Sequence, residues 1–199
     1  MVHSTPLLNT RPDGHNSTSQ VLWLVRHGES TWNARGLAQG HDDRARLTSR
    51  GLRQARAIAV QLRDRPIRAL YASDLSRALQ TAAPLASALG LTVVRDARLR
   101  ERCLGAAEGT VAASISPAVS GISDGRVVNP DACPDGGESL RDFYRRVARF
   151  AGDLAAAEVA IVAHGGTLRM LTACRQGVPV DEMTWYPLAN ATVLRSPAN

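Results

Sequence analysis

The 199-residue chain has no lysine, so all 24 of its basic side chains are arginines. This absence excludes Schiff-base chemistry, covalent attachment of pyridoxal phosphate and a P-loop lysine. A codon bias toward arginine explains the composition more simply than a selected role. The formal net charge of +6 still leaves a small anionic substrate open as the partner of the arginines.

Cysteines, aromatic residues and long apolar runs are also scarce. The three cysteines, Cys103, Cys133 and Cys174, lie far apart, which predicts reduced thiols in a cytoplasmic protein. Aromatic residues make up only 4% of the chain and the arginines are spread out, which argues against a nucleic-acid surface. The lack of a run of transmembrane length argues against a membrane partner. Residues 1–20 are polar and lack an apolar signal core, so we predict a disordered N-terminal tail.

From residue 21 onward, apolar strand-like runs alternate with segments of helical periodicity. Strands are predicted at 21–26, 69–73, 91–95 and 159–163, with an edge strand at 192–194. Helices are predicted after N-caps at Thr48, at Ser73 or Asp74 and at Ser139, and over 167–174. This alternation predicts a three-layer α/β/α sandwich with a mostly parallel central sheet, forming one domain over 21–199. Residues 30–47 and 96–137 read as loops, and the second is long enough to suggest a functional rim.

Two histidines follow predicted buried strands directly. Arg26-His27-Gly28 ends the first strand, and His164-Gly165-Gly166 ends the fourth. Parallel strands bind ligands at their carboxyl ends, so both imidazoles are expected to converge on one pocket. A lone histidine is more often structural, but two with this arrangement favour a functional site.

Two further residues add weaker signals. Arg77 falls in the first turn of a predicted helix, where free N–H groups and a guanidinium together suit an anion. Glu101 lies near the end of the third strand. Taken alone, Arg77 is equally typical of a solvated helix and Glu101 of a surface ion pair.

The segment Arg26-His27-Gly28-Glu29-Ser30-Thr31-Trp32-Asn33 resembles the signature of the histidine phosphatase superfamily, which includes cofactor-dependent phosphoglycerate mutases. The resemblance continues, in family order, over roughly residues 21–195. The further matching blocks are Gln39-Gly40, Leu47-Thr48 with Gly51, Ser73-Asp74-Leu75 with Arg77-Ala78 and Gln80-Thr81, Leu99 with Glu101, Gly105 and Glu108-Gly109, Gly136-Gly137-Glu138-Ser139, Val162 with His164-Gly165-Gly166, and Asn190-Ala191-Thr192.

The resemblance implies roles for particular residues. His27 would accept the phosphoryl group, with its other ring nitrogen held by a backbone carbonyl near Gly28. Arg26, Arg77 and His164 would surround the phosphoryl oxygens, and Glu101 would protonate the leaving alkoxide and then activate water. Further substrate contacts are expected from Ser30, Asn33, Gln39, Gly40 and Gly165. No cofactor or metal is expected, and His41-Asp42-Asp43 is more typical of a polar loop than of a metal site.

The function implied is a metal-independent phosphomonoester hydrolase of a small phosphorylated metabolite, a sugar phosphate or a phosphoglycerate-type compound. The alternatives are a phosphoglycerate mutase and a non-catalytic phosphometabolite-binding protein. Ala107 stands where many family members have an aromatic residue before Glu108-Gly109, and residues 110–135 match no substrate-specific pattern. The edge strand near Thr192 suggests a possible homodimer.

Overall fold

A five-stranded sheet forms the centre of the computed structural model, which describes residues 20–155 and 158–196. Apart from Gln20, the predicted tail lies outside the described residues. The strands are β1 (Val21–Arg26), β2 (Ala69–Ala72), β3 (Val93–Arg95), β4 (Ile122–Ser123), β5 (Arg126–Val127), β6 (Glu158–Ala163) and β7 (Val193–Ser196). The main sheet has the order β3-β2-β6-β1-β7, and β7 alone runs antiparallel to its neighbour. The pair β4-β5 is separate.

Helices cover both faces of this sheet. They are α1 (Thr31–Ala34), α2 (Ser49–Leu62), α3 (Ser76–Leu89), α4 (Pro117–Ser120), α5 (Leu140–Gly152) and α6 (Gly165–Gln176). Helices α2 and α3 pack with Val21, Trp23 and Val25 on one face, while α5 and α6 pack on the other. The predicted three-layer α/β/α arrangement with a mostly parallel sheet is therefore confirmed.

Strands β1 and β6 lie in the middle of the sheet and are buried on both faces. Side chains of a strand alternate between the faces, so β1 sends Leu22 and Leu24 into the core opposite to that of Val25. The two strands are parallel, with Arg26 opposite Ala163. This register makes His27 and His164 leave the sheet side by side at its carboxyl edge.

The helix ends follow the sequence signals in most places. Thr48 caps α2 through a bond from the backbone N–H of Gly51, and Ser139 caps α5 through Asp142. Gly90 ends α3 with φ of 64°, a conformation that glycine adopts at little cost.

Three local predictions were wrong. Neither Ser73 nor Asp74 caps α3, because the backbone N–H of Ser76 donates to Asp43, a residue distant in sequence. Helix α6 starts at Gly165 rather than Thr167, and α1 interrupts the predicted loop 30–47. Tertiary contacts and short local caps determine where these helices begin, and the hydrophobic periodicity of the sequence does not show them.

The long segment 96–137 is mostly irregular, as predicted, but carries short elements of its own. It contains α4, the β4-β5 pair and single helical turns at Ala97–Leu99, Gly105–Ala107 and Ala112–Ser114. At the sheet edge, β7 pairs with β1 alone. No helix in the described ranges combines the length and the apolar character needed to cross a membrane.

Candidate active site

A cavity of about 440 Å³ opens at the carboxyl edge of the sheet. All five predicted catalytic residues line it: Arg26, His27, Arg77, Glu101 and His164. Of the predicted substrate-binding residues, Gln39, Gly40 and Gly165 also line it. The remaining wall is built largely by the segment 102–122 together with Arg169 and Trp185.

His27 is buried, and its ring is fixed by the backbone beside it. Its Nδ1 lies 2.7 Å from the carbonyl oxygen of Gly28. A carbonyl only accepts hydrogen bonds, so Nδ1 carries the proton and Nε2 keeps its lone pair. Burial lowers the pKa of His27 well below its usual value, and the charges of Arg77 and Arg26 lower it further. The neutral imidazole therefore presents an unprotonated nitrogen at the cavity.

The backbone around His27 is held from two directions. The carbonyl of His27 accepts hydrogen bonds from the backbone N–H of Ala191 at 3.1 Å and from Asn190 Nδ2 at 3.3 Å. A Cβ on Gly28 would lie 2.6 Å from the carbonyl oxygen of Gly51, so only glycine fits there. The Asn190-Ala191-Thr192 block thus holds the main chain of His27 in place.

His164 is also buried and holds Arg77. Arg77 Nε donates to His164 Nδ1 at 3.2 Å, and His164 Nε2 lies 2.8 Å from Ser73 Oγ. A guanidinium only donates, so Nδ1 accepts and Nε2–H donates to the Ser73 hydroxyl. Burial, followed by the charge of Arg77, lowers the pKa of His164 well below its usual value. With both ring nitrogens engaged, His164 orients Arg77 in this structure.

Arg77 is fully buried. Besides the bond to His164, Nη1 donates to the carbonyl of Asp42 at 2.9 Å and Nη2 to that of Gly40 at 2.8 Å. A guanidinium has five N–H groups, so one on each Nη is left for further acceptors. Burial lowers the pKa of Arg77 to about 10, which keeps it cationic at neutral pH. The loop 40–42 therefore fixes the guanidinium of Arg77 at the cavity, with one free N–H on each Nη available to a ligand.

Arg26 supplies a second cation next to His27. Its Nη1 donates to the carbonyl of Leu188. Its Nε is buried, and no described residue accepts a hydrogen bond from it. A buried donor without a partner is costly, so this nitrogen is suited to an oxygen atom of a bound ligand.

Glu101 is the only acidic side chain among the described residues that line the cavity. Its Oε1 accepts the backbone N–H of Arg102 at 2.9 Å, and its Oε2 accepts that of Gly166, also at 2.9 Å. A Cβ on Gly166 would overlap Oε1. The second glycine after His164 therefore makes room for the carboxylate at the N-terminus of α6.

Ser30 and Asn33 do not line the cavity formed by the described residues. They form a capping box that starts α1, in which Ser30 Oγ accepts the backbone N–H of Asn33. Ser30 Oγ also donates to Gln39 Oε1 at 2.8 Å, and Asn33 Oδ1 accepts from Asn190 Nδ2 at 3.0 Å. Their direct contact with substrate stays a prediction, while the structure gives them a role in supporting Gln39 and Asn190.

The loop His41-Asp42-Asp43 uses its polar groups for internal bonds. His41 Nε2 lies 2.9 Å from the carbonyl of Glu101, Asp43 caps α3, and Asp42 pairs with Arg44. Throughout 20–155 and 158–196, no three His, Cys, Asp or Glu residues cluster closely enough to hold a metal ion.

Sequence reasoning missed two arginines of the cavity wall. Arg102 donates from each of its three nitrogens to backbone carbonyls, those of Glu138, Ser120 and Ala132, and so ties the rim together. Arg169 lines the cavity beside Trp185. Its position four residues after Gly165, one turn along α6, was a signal that places it on the same helix face.

The role of Glu108 was also missed. Its Oε1 accepts the backbone N–H groups of His41 at 2.8 Å and Leu104 at 3.0 Å. It packs under Gly40, whose φ of +48° and lack of a Cβ allow the close approach. Glu108 therefore fixes the loop that presents Gly40 to Arg77.

Comparison with known proteins agrees with this geometry. The sequence profile of the histidine phosphatase superfamily (branch 1) matches residues 22–196. The chain belongs to the histidine phosphatase superfamily. Members of this superfamily are usually phosphatases or mutases.

Individual relatives align with most of the length of this chain. It is 34% identical over 186 residues to a probable phosphoglycerate mutase GpmB of Yersinia pestis, covering 87% of this chain and 83% of the relative. A mycobacterial glucosyl-3-phosphoglycerate phosphatase solved with VO3 superposes with a TM-score of 0.78 at 32% identity, covering 89% of this chain and 92% of that one. Bacillus stearothermophilus YhfR gives a TM-score of 0.75 at 28% identity, with coverages of 89% and 90%.

Proposed function

We propose that this protein is a metal-independent phosphomonoester hydrolase that acts on a small phosphorylated metabolite through a phosphohistidine on His27. The observation that carries the proposal is the unbalanced charge of the cavity. Four arginines line it against one carboxylate, Glu101, and none of the four forms an ion pair with a described carboxylate within 4.0 Å. Arg77, Arg102 and Arg169 are buried, and buried cations are costly unless an anion joins them. A phosphate dianion supplies the missing charge.

In the proposed reaction, Nε2 of His27 attacks phosphorus and the bond to the ester oxygen breaks. In the substrate complex Glu101 carries a proton, which it gives to the departing alkoxide, and the leaving group departs as the alcohol. Glu101 then takes a proton from a water molecule, whose oxygen attacks the phosphohistidine. The P–N bond breaks, inorganic phosphate leaves, and both His27 and Glu101 return to their starting states.

The arginines carry the electrostatic part of this reaction. Phosphoryl transfer depends mainly on positioning and on stabilising charge at the phosphoryl oxygens. The two free N–H groups of Arg77 suit two of these oxygens, and Arg26 adds charge beside His27. His164 holds Arg77 in place, and direct contact of its Nε2–H with phosphate requires release of Ser73. Because guanidinium groups do this work, we expect activity to persist in the presence of a chelator.

A phosphoglycerate mutase is the second candidate, and the Yersinia relative favours it. A mutase must keep its phosphoryl group on histidine while it releases and rebinds an intermediate, whereas a hydrolase passes the group to water. The similarity to a phosphatase structure over 89% of the chain supports hydrolysis instead. A non-catalytic binding protein is disfavoured because all five core positions are occupied.

The test combines turnover with trapping of the intermediate. Purified protein, treated with EDTA, is assayed for phosphate release from sugar phosphates and phosphoglycerates, and acid-quenched samples are analysed for acid-labile protein phosphate. We expect phosphate release and a labile adduct in the wild type and in H15A, a control upstream of the domain, and neither in H27A. Interconversion of phosphoglycerates with little phosphate release would support the mutase. Full turnover by H27A would refute the mechanism.

A further inference from the structure

Glu101, the proposed proton donor, lies on a stretch of chain without regular structure. The helical turn Ala97–Leu99 ends before it, and the next turn, Gly105–Ala107, begins after it. No ladder of backbone hydrogen bonds within a helix or strand therefore fixes the main chain of Glu101. Its position depends instead on the side chains that bind the carbonyl groups around it.

Arg146, on helix α5, binds three of these carbonyls at once. Its Nη1 donates to the carbonyl of Arg98 at 2.7 Å and to that of Arg100 at 3.1 Å, while its Nη2 donates to that of Glu101 at 3.1 Å. The guanidinium also forms a bidentate pair with Glu138, from Nε to Oε1 at 2.8 Å and from Nη2 to Oε2 at 2.7 Å. All five of its N–H groups are thus used.

The pair of Arg146 and Glu138 is well placed to hold a fixed geometry. The two side chains are 20% and 16% exposed, and the guanidinium lies 4.9 Å from the centre of the Phe143 ring. Bidentate pairs shielded from water hold their geometry better than pairs between exposed side chains. The neighbouring Arg145 is exposed and pairs with Asp142, which is exposed as well. Two adjacent arginines of one helix therefore differ in whether they reach the segment that carries Glu101.

Glu101 is held at both its main chain and its carboxylate. His41 Nε2 shares the carbonyl of Glu101 with Arg146, at 2.9 Å. At the other end, the carboxylate accepts the N–H groups of Arg102 and Gly166. A shift of the main chain would therefore pull the carboxylate away from these two N–H groups.

We propose that Arg146 is a positioning residue for proton transfer: its bonds to the carbonyls of the 98–101 segment set the position of the Glu101 carboxyl group in the cavity. The inference rests on the proposed function, which assigns Glu101 as the acid. Arg146 is not among the described residues that line the cavity, so it acts on the reaction through Glu101. Its removal should slow the step that needs a proton and spare the contacts of the cavity arginines with phosphate.

The dependence of the rate on the leaving group tests this role in R146M. The ratio kcat/KM is measured for glycerol 3-phosphate, whose leaving alkoxide needs a proton, and for p-nitrophenyl phosphate, whose leaving group does not. A catalytic group misplaced by about 1 Å costs about a hundredfold, so we expect that loss with glycerol 3-phosphate and less than about a threefold loss with p-nitrophenyl phosphate. R145M is the matched control and should keep both values.

Comparison of two substrates in one variant does not depend on how much of the protein is folded. R146K keeps the charge but has three N–H donors in place of five, so it should show the same selective loss to a smaller degree. It serves as the second variant if R146M does not fold. In the E101Q background, R146M should cause no further loss with glycerol 3-phosphate, because both changes act on one group.

A second measurement reports the position of Glu101 without turnover. The N–H of Gly166 lies in the first turn of α6, where the helix itself offers no acceptor, and it donates to Glu101 Oε2. NMR measures the hydrogen exchange of this amide. Loss of a hydrogen bond to a charged group should speed the exchange at least about tenfold in E101A and in R146M, and R145M should leave it unchanged.

Three results overturn the inference. Equal losses with the two esters in R146M would mean that Arg146 only maintains the fold. No loss with either ester would mean that Glu101 needs no such support, and so would a Gly166 amide that exchanges in R146M as it does in the wild type. The proposed function fails separately, if the wild type releases no phosphate from any ester. The exchange of the Gly166 amide then still decides whether Arg146 positions Glu101.

Discussion

Replacing Gly166 with alanine should displace Glu101 without removing it. The new Cβ would overlap Glu101 Oε1 and lie 3.0 Å from both Glu101 Cδ and Phe143 Cε1. Carbon atoms in contact need about 3.5 to 4.0 Å, so the carboxyl group must retreat by roughly 1 Å. Its bond from the Gly166 N–H, 2.9 Å long, is stretched as well.

A misplacement of about 1 Å in a catalytic group costs about a hundredfold in rate, or roughly 2.7 kcal/mol in the activation barrier. We therefore expect kcat of G166A for an alkyl phosphate to fall about a hundredfold. The loss should be smaller for p-nitrophenyl phosphate, whose leaving group needs no proton. Steady-state kinetics on both substrates measure the two effects. G152A, at the end of α5 where a Cβ would meet no atom within 4 Å, is the control and should leave kcat unchanged.

Two results would refute this reasoning. One is a kcat for G166A within threefold of the wild type, since the fixed position of Glu101 would then be unimportant. The other is a G166A/E101Q double variant that is slower than E101Q alone. Both changes act on one group, so their effects on kcat should not add. Thermal unfolding of each variant separates a displaced carboxylate from a loss of fold caused by the contact with Phe143.

Two further predictions concern stability. Burial lowers the pKa of both His27 and His164, so between pH 6 and pH 5 the unfolded chain binds more protons than the folded chain. Lowering the pH from 6 to 5 should therefore reduce the free energy of unfolding by about 1 kcal/mol for each histidine. Urea titrations of H27N at the two pH values should show about half of this dependence. R102M leaves three carbonyls of the cavity rim without their donor and should lower the free energy of unfolding in urea by about 3 kcal/mol. The control R141M, on the surface, should lower it by less than about 1 kcal/mol. Equal losses would contradict the role of Arg102 in linking the segments of the rim.

Much of the fold could be predicted because its main signals are local. The apolar run Val21–Val25 and the cap at Thr48 depend on neighbouring residues, and the structure has both where the pattern indicated. The cap of α3 could not be predicted, because Asp43 reaches Ser76 from 33 positions away. A linear pattern carries no information about such a pairing.

The residues of the candidate site also differ in whether local sequence signals could predict them. His27 and His164 were found from the strands that precede them, since parallel strands place their ends at one edge. Arg169 was not, because its part in the cavity depends on the stacking with Trp185 and on the space left by Gly165. Ser30 and Asn33 illustrate the converse, as the motif contains them but the structure places them in a helix cap.

The sequence by itself determined the layered α/β fold and the membership of the histidine phosphatase superfamily, because strand periodicity and motif order are properties of neighbouring residues. Only the tertiary structure decided how each group is used. It fixed the tautomer of His27 through Gly28 and committed Arg102 to the rim. It also placed Arg169 against Trp185 in the cavity wall. Hydrogen bonds between distant segments set these outcomes, because the carbonyls around an arginine decide whether its nitrogens are already occupied or remain available to a ligand.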